Sequence, residues 1–117
     1  MIQELTSKQF IDEIHDYRES PNIVNKKGHP VILDFYADWC APCKTLSPVL
    51  EKLAEEFTGI EIRKVNVEEE VELTQTFEIA ALPSVFLIPT EGDSRFIVGA
   101  PPEGILRTAI EDVFQIK

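Results

Sequence analysis

The chain has 117 residues, enough for one domain and too few for two of ordinary size, and its 44% hydrophobic content allows a buried core. Eleven basic and 21 acidic residues give a formal net charge of −10, which argues against nucleic acid or an anionic membrane as partner. No apolar run is long enough to span a bilayer, and residues 1–8 lack signal-peptide features. We expect one domain over residues 1–117 in the cytoplasm, although a periplasmic chain after signal-peptide removal would look the same.

The first thirty residues predict a short strand, a helix and a loop. Residues 2–5 form the strand candidate, and Thr6 with Gln9 forms a capping box that begins a helix. Apolar side chains then recur at helical spacing as far as Tyr17, so we expect the helix to end near residue 17 or 18. Residues 19–30 are polar and contain proline and glycine, which indicates a loop. His15, on the helix, and His29, in the loop, are expected to be solvated.

The middle of the chain predicts two strands and two helices. Residues 31–36 are a nearly continuous apolar run, typical of a strand buried on both faces. Helical spacing follows over residues 41–57, with Pro48 inside as an expected kink, and residues 61–67 alternate as a strand should. The acidic run at residues 68–72 reads as the solvated start of a helix, where carboxylates complement the dipole.

The last third predicts a hairpin and a final helix. Residues 84–88 and 95–98 form its strands around a turn at 89–93, and Gly99 ends the second strand. Apolar residues at helical spacing then continue to Phe114. The order β-α-β-α-β-α-β-β-α predicts an α/β fold, a three-layer α/β/α sandwich with four helices around a mixed central sheet of four to five strands.

The two cysteines lie three positions apart, in the stretch Cys40-Ala41-Pro42-Cys43. So short a loop adds almost nothing to stability, and secreted disulfide-held folds normally carry more cysteines at wider spacings. The pair falls where a buried strand ends and a helix begins, so unpaired N–H groups and the helix dipole favour a thiolate. One thiolate can attack a substrate disulfide and the other can resolve the mixed disulfide. This pattern predicts redox chemistry.

Asp34 stands out because it lies inside the apolar strand at residues 31–36. Burial disfavours the charged form of a carboxyl group, so its pKa should be raised. The alternative is an aspartate hydrogen-bonded to backbone near a strand end.

The stretch around the cysteines resembles the active site of the thioredoxin family. It reads Phe35-Tyr36-Ala37-Asp38-Trp39-Cys40-Ala41-Pro42-Cys43-Lys44, followed by Ser47-Pro48. The similarity covers nearly the whole chain and includes the stretches Val65-Asn66-Val67, Ala81-Leu82-Pro83-Ser84 and Val98-Gly99-Ala100. The resemblance implies the thioredoxin fold.

The resemblance also implies a role for each matching residue. Cys40 is expected to be the exposed attacking thiolate and Cys43 the buried resolving thiol. Asp34 is expected to accept the proton of Cys43, and Lys64 to lie near that carboxylate. Substrate contacts are expected from Trp39, Ala41, Pro42, Leu82, Pro83 (as a cis-proline), Gly99 and Ala100.

Four features depart from the family pattern. Ala41 replaces a frequent glycine between the cysteines, where the dipeptide tunes redox potential, and Tyr36 replaces a frequent tryptophan. The loop at residues 19–30 is longer than usual, and Pro101-Pro102 opens the last helix. The last three departures are expected to leave the chemistry unchanged.

The implied activity is reduction of protein disulfides by dithiol–disulfide exchange, with no metal or organic cofactor beyond the redox-active disulfide Cys40–Cys43. The implied electron donor is a thioredoxin reductase, and the chain is expected to act as a monomer. One alternative is a disulfide-donating or shuffling relative in an oxidising compartment. Another is a metal-bridged or scaffold module, which would need a dimer through Cys40 and Cys43 to supply four zinc ligands.

Overall fold

The computed structural model describes residues 2–116, and the element order agrees with the prediction. The strands are β1 (Gln3–Glu4), β2 (Val31–Tyr36), β3 (Glu61–Asn66), β4 (Ser84–Ile88) and β5 (Arg95–Val98). The helices are α1 (Ser7–Gln9, continued by a π-helical segment at Phe10–Ile14), α2 (Ala41–Glu56), α3 (Val71–Thr76) and α4 (Glu103–Phe114).

The five strands form one mixed sheet in the order β1-β3-β2-β4-β5. The β1–β3 and β2–β3 pairs are parallel, whereas β2–β4 and β4–β5 are antiparallel. Strand β2 is therefore central, with a neighbour on each side, as its continuous apolar sequence predicts. In this register Asp34 of β2 lies beside Lys64 of β3 and Val85 of β4.

The two faces of the sheet carry separate apolar cores, which makes the fold a three-layer sandwich. Side chains of β2 alternate between them. Val31, Leu33 and Phe35 pack with α1 and α3, whereas Ile32 packs with α2 and α4. Asp34 shares the side of Ile32, so its carboxyl group points towards α2. That alternation is what brings a strand carboxylate under the cysteine-bearing helix.

Helix α1 begins as predicted but ends earlier. Thr6 accepts a hydrogen bond from the Gln9 N–H at 3.0 Å, and the Gln9 side chain accepts from the Thr6 N–H at 2.9 Å. The prediction of an end near residue 17 or 18 is wrong, because the chain widens into π-helical turns and becomes extended at His15. Tyr17 still packs its ring on Phe10 and Phe77, from a turn instead of a helix.

The expectation that His15 is solvated is also wrong. The ring is buried, with 6% of the residue exposed, and its Nδ1 accepts a hydrogen bond from the Val24 N–H at 3.1 Å. The opposite nitrogen, Nε2, lies 2.8 Å from the Ser20 carbonyl oxygen and donates to it. His15 therefore joins the end of α1 to the long polar loop.

The remaining elements match their predicted positions closely. Helix α2 continues through Pro48 without a break, although Pro48 has no N–H to donate. The acidic residues Glu68, Glu69 and Glu70 lie in the turn before α3, and Glu72 in its first turn. His29, expected to be solvated, is partly exposed, and its Nε2 lies 2.8 Å from Glu61 Oε1. Among residues 2–116, no helix is long and apolar enough to cross a membrane.

Candidate functional site

The two cysteines form a disulfide at the junction between β2 and α2. Cys40 is the N-cap of α2, with extended backbone, and its Sγ accepts a hydrogen bond from the Cys43 N–H at 3.2 Å. Pro42 lies in the first turn, where an N–H has no partner within the helix and its absence costs little. One otherwise unpaired N–H and the positive end of the helix thus point at the sulfur of Cys40.

Burial does not distinguish the two cysteines. The expectation of an exposed Cys40 is not met in this disulfide state, since only 4% of each residue is exposed. The reason is packing, because both cysteines and Ala37 form a small apolar cluster with Tyr36, Val67 and Leu82 against it. The difference between the sulfurs lies instead in the spaces that their residues line.

Cys40 lines an open groove of about 410 Å³, which we call the substrate groove. Its lining is largely apolar and consists of Trp39, Cys40, Ala41, Pro42, Val67, Thr74, Ile79, Ala80, Ala81 and Leu82. Trp39, Ala41, Pro42 and Leu82 were expected from the sequence to contact substrate. Trp39 is 69% exposed, which is unusual for so large a ring in a folded domain.

The sequence did not predict the other groove residues as part of the site. Val67 follows β3, Thr74 lies in α3, and the segment from Ile79 to Ala81 leads into β4. These residues span fifteen positions, from Val67 to Ala81, in a region whose sequence predicts only a strand, a helix and a linker. The one available signal was the run of small apolar residues, Ala80 and Ala81, immediately before Leu82 and Pro83.

The peptide bond between Leu82 and Pro83 is cis, as the family resemblance implies. Pro83 accepts a hydrogen bond from the Gly99 N–H at 2.8 Å, so β5 ends beside this proline. Gly99 has φ +94°, a conformation that favours glycine. Pro83, Gly99 and Ala100 do not line the substrate groove, and Ala100 is exposed. Within residues 2–116, neither the N–H nor the C=O of Leu82 has a hydrogen-bond partner.

Cys43 lines a smaller space of about 160 Å³ whose lining residues are mostly polar or charged, and we call it the inner cavity. Asp34 and Lys64 line it, together with Tyr36, Ala37, Asp38, Lys44 and Ser47. The structure therefore brings Asp34, Lys64 and Cys43 together. Sequence reasoning did not identify Ser47 or Lys44 as part of this space, because both belong to an exposed face of α2.

Asp34 is a buried carboxyl group without a hydrogen-bond partner for its Oδ1 atom. Only 5% of the residue is exposed, and burial raises its pKa to about 7, against an opposing effect of the positive charge of Lys64. The Lys64 ammonium lies 5.3 Å from the centre of the Tyr36 ring. A carboxyl group with a pKa near 7 can both accept and release a proton at neutral pH.

Among residues 2–116, no cluster of three or more histidine, cysteine, aspartate or glutamate side chains is arranged to hold a metal ion. The redox-active group of this site is the Cys40–Cys43 disulfide of the chain itself.

Comparisons with known proteins agree with this geometry. The family model Thioredoxin matches residues 3–112. The thioredoxin of Borreliella burgdorferi is 33% identical over 111 residues, which cover 94% of this chain and 95% of that protein. Oxidised mitochondrial thioredoxin 3 of Saccharomyces cerevisiae has a TM-score of 0.77 and 29% identity over 95% of this chain and 94% of that chain. A structure concerned with thiol resolution in a yeast mitochondrial 1-Cys peroxiredoxin through glutathione/thioredoxin systems has a TM-score of 0.77 and 28% identity, with 95% and 94% of the chains covered.

Proposed function

The chain belongs to the thioredoxin family and is a protein thiol–disulfide oxidoreductase, and from this premise we propose how its residues divide the reaction. Cys40 is the attacking residue and Cys43 the resolving residue. The observation that carries this assignment is that the two cysteines line different spaces. Cys40 lines the open substrate groove, and Cys43 lines the inner cavity with Asp34.

In the first step, the Cys40 thiolate attacks one sulfur of a substrate disulfide. A mixed disulfide forms between Cys40 and that sulfur, and the other substrate sulfur leaves as a thiolate that takes a proton from water. The Cys43 N–H, 3.2 Å from the Cys40 sulfur, and the N-terminus of α2 stabilise the attacking thiolate.

In the second step, the Cys43 thiol gives its proton to the Asp34 carboxylate and attacks the Cys40 sulfur. The Cys40–Cys43 disulfide forms, and the second substrate sulfur leaves as a thiolate. Two electrons have then passed from the cysteine pair to the substrate disulfide. The inner cavity is large enough for a water molecule to carry the proton between Cys43 and Asp34.

Substrate contacts follow from the groove. We propose that Trp39, Ala41 and Pro42 form one wall against the partner, and that the unpaired N–H and C=O of Leu82 bond to an extended substrate chain. Pro83 and Gly99 shape the loop that presents Leu82. Pro83, Gly99 and Ala100 line neither the groove nor the cavity, and Ala100 has the weakest support because it also takes no part in the Gly99–Pro83 hydrogen bond.

Cysteine variants test the assignment. The reduced chain should cleave the disulfides of insulin with dithiothreitol as donor, and Cys40→Ser should abolish turnover because the attacking sulfur is lost. Cys43→Ser should accumulate a mixed disulfide through Cys40, visible by mass spectrometry and released by dithiothreitol. Full turnover by Cys40→Ser would contradict the assignment. So would a mixed disulfide between Cys43 and the substrate in the Cys40→Ser variant.

We further propose that the pair works in the reducing direction in the cytoplasm, with electrons from a thioredoxin reductase. A cysteine pair of the reducing kind has a reduction potential of about −270 mV, whereas a value above about −180 mV indicates a disulfide donor or isomerase. Equilibration with glutathione measures the potential, and turnover with a reductase and NADPH tests the donor.

We propose that a monomer is sufficient for activity. Asp34, Lys64 and Cys43 line one cavity and Cys40 is bonded to Cys43, so the proposed steps need no residue of a second copy. Sedimentation analysis at the concentration of the insulin assay tests this, and activity confined to a dimer would contradict it.

A further inference from the structure

The substrate groove has an apolar lining but an acidic border. Val67 lines the groove, and Glu68 and Glu69 follow it immediately in the turn before α3. The Glu69 N–H donates to the Asn66 carbonyl at 3.1 Å, and the Glu68 N–H donates to Asn66 Oδ1 at 3.0 Å. These bonds fix the backbone of the turn directly after Val67, so Glu68 and Glu69 are attached at the edge of the groove.

The border carboxylates are not neutralised within the chain. Glu68 and Glu69 are exposed, and neither carboxylate makes an ion pair or hydrogen bond within residues 2–116. Their neighbour Glu70 differs, because it accepts a hydrogen bond from the Ser7 N–H at 2.8 Å. We call Glu68 and Glu69 the acidic border.

A second observation places this charge at the active end of the sheet. The pKa of the Tyr36 hydroxyl is raised, first by burial and a hydrogen bond to Glu4, and then by the negative charges of Asp38 and Glu69. Tyr36 is the last residue of β2 and lines the inner cavity. Glu69 of the acidic border therefore lies within electrostatic reach of Tyr36, at the end of β2 next to the disulfide.

The lysines near the disulfide line the inner cavity and not the substrate groove. Lys44 and Lys64 line the inner cavity, and Lys64 faces Asp34 and the Tyr36 ring. The basic residues that form ion pairs lie elsewhere, namely Lys8, Arg18, Lys27, Lys52, Arg63, Arg95 and Arg107. The chain as a whole carries −10.

We propose that the substrate groove selects disulfide proteins in which lysine or arginine flanks the attacked cystine within an otherwise apolar segment. The inference rests on the proposed function and names its substrate class. Apolar side chains of the partner fill the groove, and its cations lie against Glu68 and Glu69. Such charge complementarity raises the association rate more than the final affinity and weakens with salt.

The test uses three peptides of equal length, each closed by one disulfide and differing only beside the cystine, where they carry two lysines, two glutamines or two glutamates. The readout is kcat/KM for reduction by the reduced chain at low and high ionic strength. We expect the lysine peptide to be reduced about threefold to tenfold faster than the glutamate peptide at low salt, since exposed charge pairs are individually weak. The ratio should fall towards one at high salt.

A matched pair of double variants separates local from overall charge. Glu68→Gln with Glu69→Gln removes the acidic border at the groove and should lower the lysine-to-glutamate ratio by about threefold. Glu55→Gln with Glu91→Gln removes the same charge far from the groove, near the end of α2 and in the β4–β5 turn. This control should keep the wild-type ratio.

The outcomes distinguish the two proposals. If the glutamine peptide is reduced but the lysine and glutamate peptides are reduced at equal rates, the charge selection is wrong. An equal loss of preference in both double variants would also contradict it. Failure of the wild-type chain to reduce the glutamine peptide would overturn the proposed function, and the charge selection with it.

Discussion

The Lys64 ammonium lies over the ring of Tyr36, 5.3 Å from its centre, beside the buried carboxyl group of Asp34. A cation above an aromatic face is held electrostatically by the ring. Tyr36 is itself anchored, because its hydroxyl donates to Glu4 Oε1 at 2.8 Å. The position of the Lys64 charge, which favours the ionised form of Asp34, is thus supported by the Tyr36 ring at the end of β2.

Lys64→Met should raise the pKa of Asp34 further above about 7, because the positive charge that opposes burial is removed. The resolving step should then need a higher pH, since less Asp34 is ionised at neutrality. An NMR titration of the Asp34 carboxyl carbon in the oxidised chain measures the shift. Lys44→Met is the control, since it removes another lysine from the same cavity and should move the pKa less.

Asp34→Asn should stabilise the chain increasingly as pH rises. The folded pKa of Asp34 is about 7 and its ordinary value is 3.8. Between these values the folded state holds a proton that the unfolded state has lost, so the free energy of unfolding falls as pH rises. Below 3.8 both states are protonated and this loss is absent, and above about 7 it is complete.

The variant cannot ionise, so its advantage should be about 2 to 3 kcal/mol larger at pH 8 than at pH 5. Urea unfolding of the oxidised chain at both pH values measures it. Asp38→Asn, an exposed carboxylate near the same site, should change stability by less than about 0.5 kcal/mol. An equal gain for Asp34→Asn at both pH values would show that burial of its charge is not the cause.

Brief iodoacetamide treatment of the reduced chain at neutral pH should label Cys40 faster than Cys43. Cys40 lines the larger, open groove and its sulfur accepts the Cys43 N–H, whereas Cys43 faces the small inner cavity. Mass mapping of the labelled peptides gives both rates. Equal labelling would mean that the groove and the cavity do not separate the two thiols.

His15→Leu should destabilise the chain by about 1 to 3 kcal/mol, because the Val24 N–H and the Ser20 carbonyl lose their partners in a partly buried setting. Urea unfolding measures the loss, and proteolysis should cleave residues 16–25 faster in the variant. His29→Leu is a control with a more exposed ring that bonds Glu61 and should leave this proteolysis rate unchanged.

The order and positions of the elements were predictable because their signals are local. The capping box at Thr6, the apolar run of β2 and the helical spacing of α2 each act within a few residues of chain. The redox pair was equally readable, since Cys40 and Cys43 lie on one helix turn. The carboxylate under them was readable from Asp34 alone, because polar residues inside apolar strands are uncommon.

The end of α1 could not be read in this way. Tyr17 keeps the spacing of the helix face, yet it reaches Phe10 and Phe77 from a turn. The helix ends where its last residues form hydrogen bonds with the following loop. His15 Nδ1 accepts a hydrogen bond from the Val24 N–H, and the Ile14 carbonyl accepts one from the Lys26 N–H at 2.9 Å. These partners lie nine and twelve positions away, and periodicity does not record them.

The groove was only half predictable for a related reason. Trp39, Ala41 and Pro42 belong to one short motif, but Val67, Thr74 and Ile79 meet it only through the crossover connections of the sheet. Val67 and Ile79 are apolar and Thr74 lies within a predicted helix, so the hydrophobic pattern alone does not separate them from structural residues.

The substrate groove and the inner cavity have no lining residue in common, and the disulfide stands between them. A partner that closes over the groove therefore leaves the opposite side of the disulfide in contact with its own polar space. In the reaction proposed above, sulfur exchange takes place on the side that the partner covers, whereas the proton of Cys43 passes to Asp34 on the side that it does not. On that proposal, a tightly fitting substrate does not have to loosen before the proton of Cys43 departs.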